Sequence, residues 1–148
     1  MLLWLQKKKG MMATTENSTP NRIIKFLEKK KEGTTFIYDD FINCGNYESI
    51  RSAIVHLCNK KKLLRVCQGV YVKPERGGIM IKPTNYQIIK DLDRRNGGAP
   101  IPKDEETKKY IEGTLDYEPN KLCFYTNCST RQIKLPDGII VKFYHRDK

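Results

Sequence analysis

The chain has 148 residues, a formal net charge of +11 and a pI near 9.5. That length holds one domain or two small ones, each with a modest core, and leaves little room for a large enzyme cleft. The basic excess makes a polyanion the economical partner, because neutralised phosphates release counterions; lysines also serve simply to keep a surface wet.

The five cysteines, Cys44, Cys58, Cys67, Cys123 and Cys128, are odd in number and form no CxxC, and His56 and His145 have no ligand spacing with them. Neither a disulfide framework nor a zinc site is expected, and the thiols read as reduced, in a cytoplasmic protein. The apolar run Leu2–Leu5 is too short for a signal sequence and precedes Lys7–Lys9 rather than following them. No stretch approaches the length of a membrane-spanning helix, so no membrane partner is expected. There is no phosphate-cradling Gly loop and no Ser/His/Asp arrangement, so neither an enzyme nor a cofactor is expected. Asp104-Glu105-Glu106 reads as an acidic helix start, which the helix dipole favours, rather than as a Mg²⁺ site.

Residues 1–19, rich in Thr, Asn and Ser toward their end, read as a disordered N-terminal segment. Thr19 then caps a first helix opened by Pro20, whose missing amide costs nothing at that position. Ile23, Ile24, Phe26 and Leu27 give this helix an apolar face, and Gly33 follows its lysine-rich last turn. Thr34–Tyr38 reads as extended, and Asp39–Ile42 as a short second helix with Phe41 and Ile42 toward the core.

Gly45 and Asn46 supply a turn and a helix cap. Ile50, Ala53, Ile54 and Leu57 then fall at i, i+3, i+4 and i+7, which gathers four apolar groups on one face of a longer helix. The opposite face carries Glu48, Arg51, Ser52, Val55 and Asn59, with Ser49 and His56 at its edge. Such a face can enter a major groove and reach base edges; it is equally an ordinary solvated face. Lys60, Lys61 and Lys62 close the helix, where cations suit its dipole. Leu63–Cys67 and Val70–Lys73 flank Gln68-Gly69, a tight hairpin in which Arg65 and Lys73 are the charged strand positions. Helix, turn, helix and basic hairpin is the order of a winged helix-turn-helix, over residues 20–75. Wing cations of this kind set register along phosphates while the helix reads sequence.

Residues 76–83, with Gly77-Gly78 and Pro83, read as a linker. Residues 84–148 read as a small second module. Thr84 or Asn85 caps a helix running to about Arg95, with Tyr86, Ile88, Ile89 and Leu92 on its apolar side. Asn96-Gly97-Gly98 stops it, and Pro100 and Pro102 bracket an extended Ala99–Ile101. Asp104–Glu112 is a further helix and Leu122–Thr126 a strand. Gln132–Leu135 and Ile139–Tyr144 form a terminal hairpin around Pro136-Asp137-Gly138. The expected fold class is α+β: an N-terminal winged helix-turn-helix followed by a small α/β C-terminal domain with a terminal β-hairpin. Residues 20–82 hold thirteen Lys and Arg against six Asp and Glu, whereas residues 83–148 hold twelve against ten, so the basic excess sits on the expected winged helix.

Taken in order, several short stretches resemble the AbiEi-type antitoxins of bacterial type IV toxin–antitoxin systems and their winged-helix relatives of unassigned function. They are Gly33-Thr34-Thr35-Phe36 with Asp39-Asp40-Phe41, Ile50-Arg51-Ser52-Ala53 with Leu57, and Leu64-Arg65-Val66 followed by Gly69-Val70-Tyr71-Val72-Lys73-Pro74. In the second half they are Asp93-Arg94-Arg95-Asn96-Gly97, Ile101-Pro102, Phe124-Tyr125-Thr126-Asn127 and Ser129-Thr130-Arg131-Gln132-Ile133. Cys128 and Gly113-Thr114-Leu115 depart from the family pattern.

The resemblance implies a sequence-specific repressor of its own operon, with a C-terminal module that opposes a nucleotidyltransferase toxin. It places base or phosphate contacts at Ser49, Arg51, Ser52 and His56, with Tyr47 and Lys60 at the two ends of the same helix, and wing contacts at Arg65, Gln68 and Lys73. The implied partners are double-stranded DNA of the protein's own promoter and a cognate toxin. No coiled coil or dimer face is evident, so a monomer or weak dimer is expected. Winged helices also bind proteins, and outward-facing Val55 keeps a protein–protein adaptor without specific DNA binding as the alternative.

Overall fold

The computed structural model describes residues 18–146, a mixed α+β chain with two sheets. The expectations for residues 1–17 lie outside the described residues. The first helix, α1 (Thr19–Glu28), begins one residue earlier than the sequence suggests: Ser18 rather than Thr19 is the cap, accepting from the Asn21 amide, so Thr19 and Pro20 both belong to the first turn. Strand β1 (Thr35–Phe36) follows, then a 3₁₀ turn, η1 (Tyr38–Cys44). A 3₁₀ turn repeats every three residues. Phe41 and Cys44 therefore share the buried side, and Ile42, expected in the core, is 60% exposed instead.

Helix α2 (Tyr47–Asn59) starts where Asn46 Oδ1 accepts from the Ser49 amide at 2.8 Å. Its apolar face is Ile50, Ala53, Ile54 and Leu57, all buried. They join Ile23, Leu27, Phe36, Phe41 and Leu63 in one core cluster, in which Phe26 sets its ring edge-on to Phe36 and Phe41 at 5.8 Å from each. Gly45 lets α1 approach closely, because a Cβ there would run into the Thr19 side chain.

Strands β2 (Leu64–Cys67) and β3 (Val70–Val72) form the hairpin, turning at Gln68-Gly69 with Gly69 at φ +89°. β3 lies between β1 and β2, antiparallel to both. Alternation along this three-stranded sheet splits its faces. Phe36 and Tyr71 turn toward α1 and α2, whereas Cys67 and Val70 enter a second core cluster supplied mainly by the rest of the chain.

Residues 76–83 contain no helix or strand. Helix α3 (Asn85–Leu92), capped by Thr84, buries Ile88, Ile89 and Leu92 but leaves Tyr86 46% exposed, outside the core expected for it. It stops at Leu92, and a separate 3₁₀ turn (Arg94–Asn96) takes the residues expected in its last turn. After β4 (Ile101–Pro102), Asp104 caps α4 (Glu105–Glu112) by accepting from the Thr107 amide at 2.8 Å.

Strands β5 (Lys121–Thr126), β6 (Arg131–Lys134) and β7 (Ile140–His145) complete a four-stranded sheet of order β4-β5-β7-β6. β6 and β7 are the terminal hairpin, and β7 also pairs parallel to β5 along its whole length. Its inner face presents Leu122, Phe124, Ile133, Val141 and Phe143 to Ile88, Ile89 and Leu92. The two halves of the chain thus meet through the back of the β2–β3 hairpin. Two ion pairs add to that junction: Arg94 to Asp40 at 2.6 Å and Arg95 to Asp39 at 2.5 Å.

Candidate nucleic-acid interface

The outward face of α2 follows from its inward face. With Ile50, Ala53, Ile54 and Leu57 committed to the core, Glu48, Arg51, Ser52 and Val55 line an open hollow on the other side. Val55 is 60% exposed there, an apolar group in water with no core role. Tyr47, also 60% exposed, lies against the Tyr38 ring at 5.3 Å and carries the Arg51 guanidinium at 5.5 Å from its own ring centre. This stack holds Arg51 at the surface instead of leaving it to sample all rotamers. Neither the Tyr38–Tyr47 contact nor its grip on Arg51 was visible in the sequence; aromatic residues nine apart carry no periodic signal.

Ser52 and His56 are exposed on the same helix. Ser49 is half-buried, and its amide serves the Asn46 cap. Lys60 ends the helix, its amide donating to the His56 carbonyl at 3.1 Å. Lys61 follows in the left-handed region at φ +59°. These lysines continue the basic edge of α2 toward the hairpin.

Arg65 is exposed on β2 and pairs in register with Tyr71. Tyr71 is the link between helix and hairpin. Burial raises its phenol pKa, the Cys58 thiol adds to this, and the nearby Arg65 and Arg51 cations oppose it. The cations of α2 and of the hairpin thus both act on one neutral phenol. Burial also pushes the Cys67 thiol up to about 11, which keeps it protonated at neutral pH. Gln68 is exposed at the turn, while Gly69 beside it lies against Leu92. The hairpin tip is thus docked on the second half of the chain on one side and open on the other.

Lys73 stands apart from this group. Its ammonium donates to the Leu27 carbonyl at 3.0 Å and to the Lys30 carbonyl at 2.7 Å. It sits at the C-terminal end of α1, where its charge suits the helix dipole and it joins the Lys30 amide on the Leu27 carbonyl. The structure places Tyr47, Arg51, Ser52, His56 and Lys60 along α2 with Ser49 half-buried among them, sets Arg65 on the hairpin strand that follows and Gln68 at its turn, and directs Lys73 elsewhere.

A polar helix face carrying Arg51, followed by a hairpin carrying Arg65, forms an open surface on a mixed α+β framework. A model of the DUF6088 family, a family of unknown function, matches residues 22–144, and the chain belongs to that family. No curated protein and no solved structure matches it. No helix among the described residues is long and apolar enough to cross a membrane.

Proposed function

We propose that residues 20–75 act as a winged helix-turn-helix that binds double-stranded DNA in a sequence-specific manner, and that the protein represses its own promoter. The observation that carries this reading is the outward face of α2, where Glu48, Arg51, Ser52 and Val55 line an open hollow and the Tyr47 ring carries the Arg51 guanidinium. The hairpin that follows this helix carries Arg65 exposed on β2. Arg51, held by Tyr47, is the base-reading group, with Ser52 and His56 beside it; Arg65, Lys60 and Gln68 contact the backbone. The resemblance to AbiEi-type antitoxins extends the proposal. The second half of the chain then opposes a nucleotidyltransferase toxin encoded in the same operon.

Selection from a random duplex pool tests the DNA reading. A sequence-specific repressor enriches one motif, and Arg51→Ala erases the enrichment. A pool that stays random after repeated rounds defeats the proposal.

A second reading has its own support. Ile42, Tyr47 and Val55 are each about 60% exposed, and large exposed apolar groups mark protein contacts. An adaptor surface of that kind binds its partner with little salt dependence. A DNA complex with about four phosphate contacts weakens with a slope near −4 in log K against log salt.

A further inference from the structure

The C-terminal sheet has two chemically distinct faces. Leu122, Phe124, Val141 and Phe143 are buried in the core. The alternate positions, Tyr125 on β5 and Lys142 and Tyr144 on β7, lie on the opposite face. Tyr125 and Tyr144 are direct register partners on adjacent parallel strands, so both side chains leave the sheet from the same face. Cations crowd both. The Lys103 and Lys142 ammonium groups each stand 4.8 Å from the Tyr144 ring centre, and the Arg146 guanidinium stands 4.3 Å from that of Tyr125. Lys121 also donates to the Tyr144 hydroxyl at 3.4 Å. Among the described residues none of these four cations pairs with a carboxylate. They turn to the tyrosine faces instead.

We propose that this outer face is a second nucleic-acid site, distinct from α2 and its hairpin, and that its ligand is a single-stranded nucleic acid. The chemistry selects that ligand in two ways. Four cations that form no ion pair among the described residues complement a phosphate chain. Two aromatic rings on one face complement unpaired bases, which stack on them regardless of sequence. A duplex meets only the first requirement, since its base faces are already stacked on one another. On binding, the lysine and arginine tails leave the rings for the phosphates, and the bases take their place. A cation over a half-exposed ring is weakly held compared with a stacked base. The proposal stands whether or not α2 reads duplex DNA.

The test is fluorescence anisotropy of the full chain with a labelled oligouridylate of about ten nucleotides, alone and annealed to its complement. The site predicts tighter binding of the single strand than of the duplex. Tyr144→Ala and Tyr125→Ala each weaken the single-strand complex about tenfold, Tyr144→Phe leaves it unchanged, and Arg51→Ala with Arg65→Ala leaves it unchanged as well. Where circular dichroism shows Tyr144→Ala unfolded, Tyr144→Leu takes its place, keeping bulk without a π face, and the same loss is expected. Equal binding of single strand and duplex overturns the proposal. So does full single-strand affinity in folded Tyr144→Leu, and so does loss of that affinity in the Arg51, Arg65 variant.

Discussion

Arg94 Nη1 donates to Asp40 Oδ1 at 2.6 Å while its Nη2 donates to Asp91 Oδ1 at 3.0 Å, so one guanidinium joins the turn before α2 to the end of α3. Asp91 is only 4% exposed, and its second oxygen has no partner. Apart from Arg94, Gln87 is the donor that its Oδ1 retains. Breaking a buried pair by removing one partner leaves an uncompensated charge. Arg94→Ala is therefore expected to destabilise the fold by about 2–3 kcal/mol in urea denaturation. Replacing Asp91 in the same protein by Asn should recover part of the loss.

Lys73 makes the opposite kind of prediction for the interface. Its ammonium is held by the Leu27 and Lys30 carbonyls, so Lys73→Ala should cost about 1–2 kcal/mol of stability. The salt dependence of DNA binding should stay as it is. Arg65→Ala should reverse the pattern, with stability almost unchanged and the salt slope smaller by about one.

Asp93 is 1% exposed, one of its oxygens has no partner, and burial raises its pKa. Its folded form thus holds a proton more tightly than the unfolded chain does. Stability associated with this group is greatest below the unfolded value of 3.8 and falls as pH rises through the raised folded value. Asp93→Asn is expected to raise the urea midpoint at pH 7, with the gain vanishing toward pH 3. Asp39 titrates with the opposite sign. Its hydrogen bond from Arg95 lowers its pKa, so its contribution is complete above 3.8 and is lost as pH falls through the lowered folded value. In Arg95→Ala that low-pH loss should disappear from the stability profile.

Asn46 fixes the start of the helix proposed to read DNA. Asn46→Ala removes the acceptor for the Ser49 amide and should cost about 1 kcal/mol. Hydrogen exchange should speed most in the first turn of α2, beneath Tyr47 and Arg51.

The helices were legible because each buries one stripe at a period of 3.6. Ile50, Ala53, Ile54 and Leu57 announced the inward face of α2, and its outward face followed by subtraction. The hairpin was legible from Gly69. Ile42 was misplaced because the segment around it is a 3₁₀ turn, whose period moves its side chain off the buried side. The role of Lys73 was hidden because its partners, Leu27 and Lys30, lie 46 and 43 residues away. Backbone carbonyls leave no mark in sequence. The parallel pairing of β5 with β7 was hidden for a similar reason. Alternation identifies a strand but not its neighbour, and here the four residues 127–130 carry the chain past the end of β7, where the Thr130 hydroxyl accepts from the His145 amide at 2.9 Å. The contact of Cys67 and Val70 with the second core was likewise invisible, since both read equally well as the inside of a small wing. In the candidate interface, residue types along α2 were legible, but the stack of Tyr38, Tyr47 and Arg51 needed the folded turn.

Whether α2 reads duplex DNA is decided by binding of the purified protein to the DNA immediately upstream of its own gene, against a scrambled duplex, at two salt concentrations. The complex with the upstream DNA should be tighter than with the scrambled duplex and weaken steeply with salt, and Arg51→Ala should lose that preference at a cost of about 1–3 kcal/mol. Equal affinity for both duplexes, or a preference untouched by Arg51→Ala, would contradict that reading.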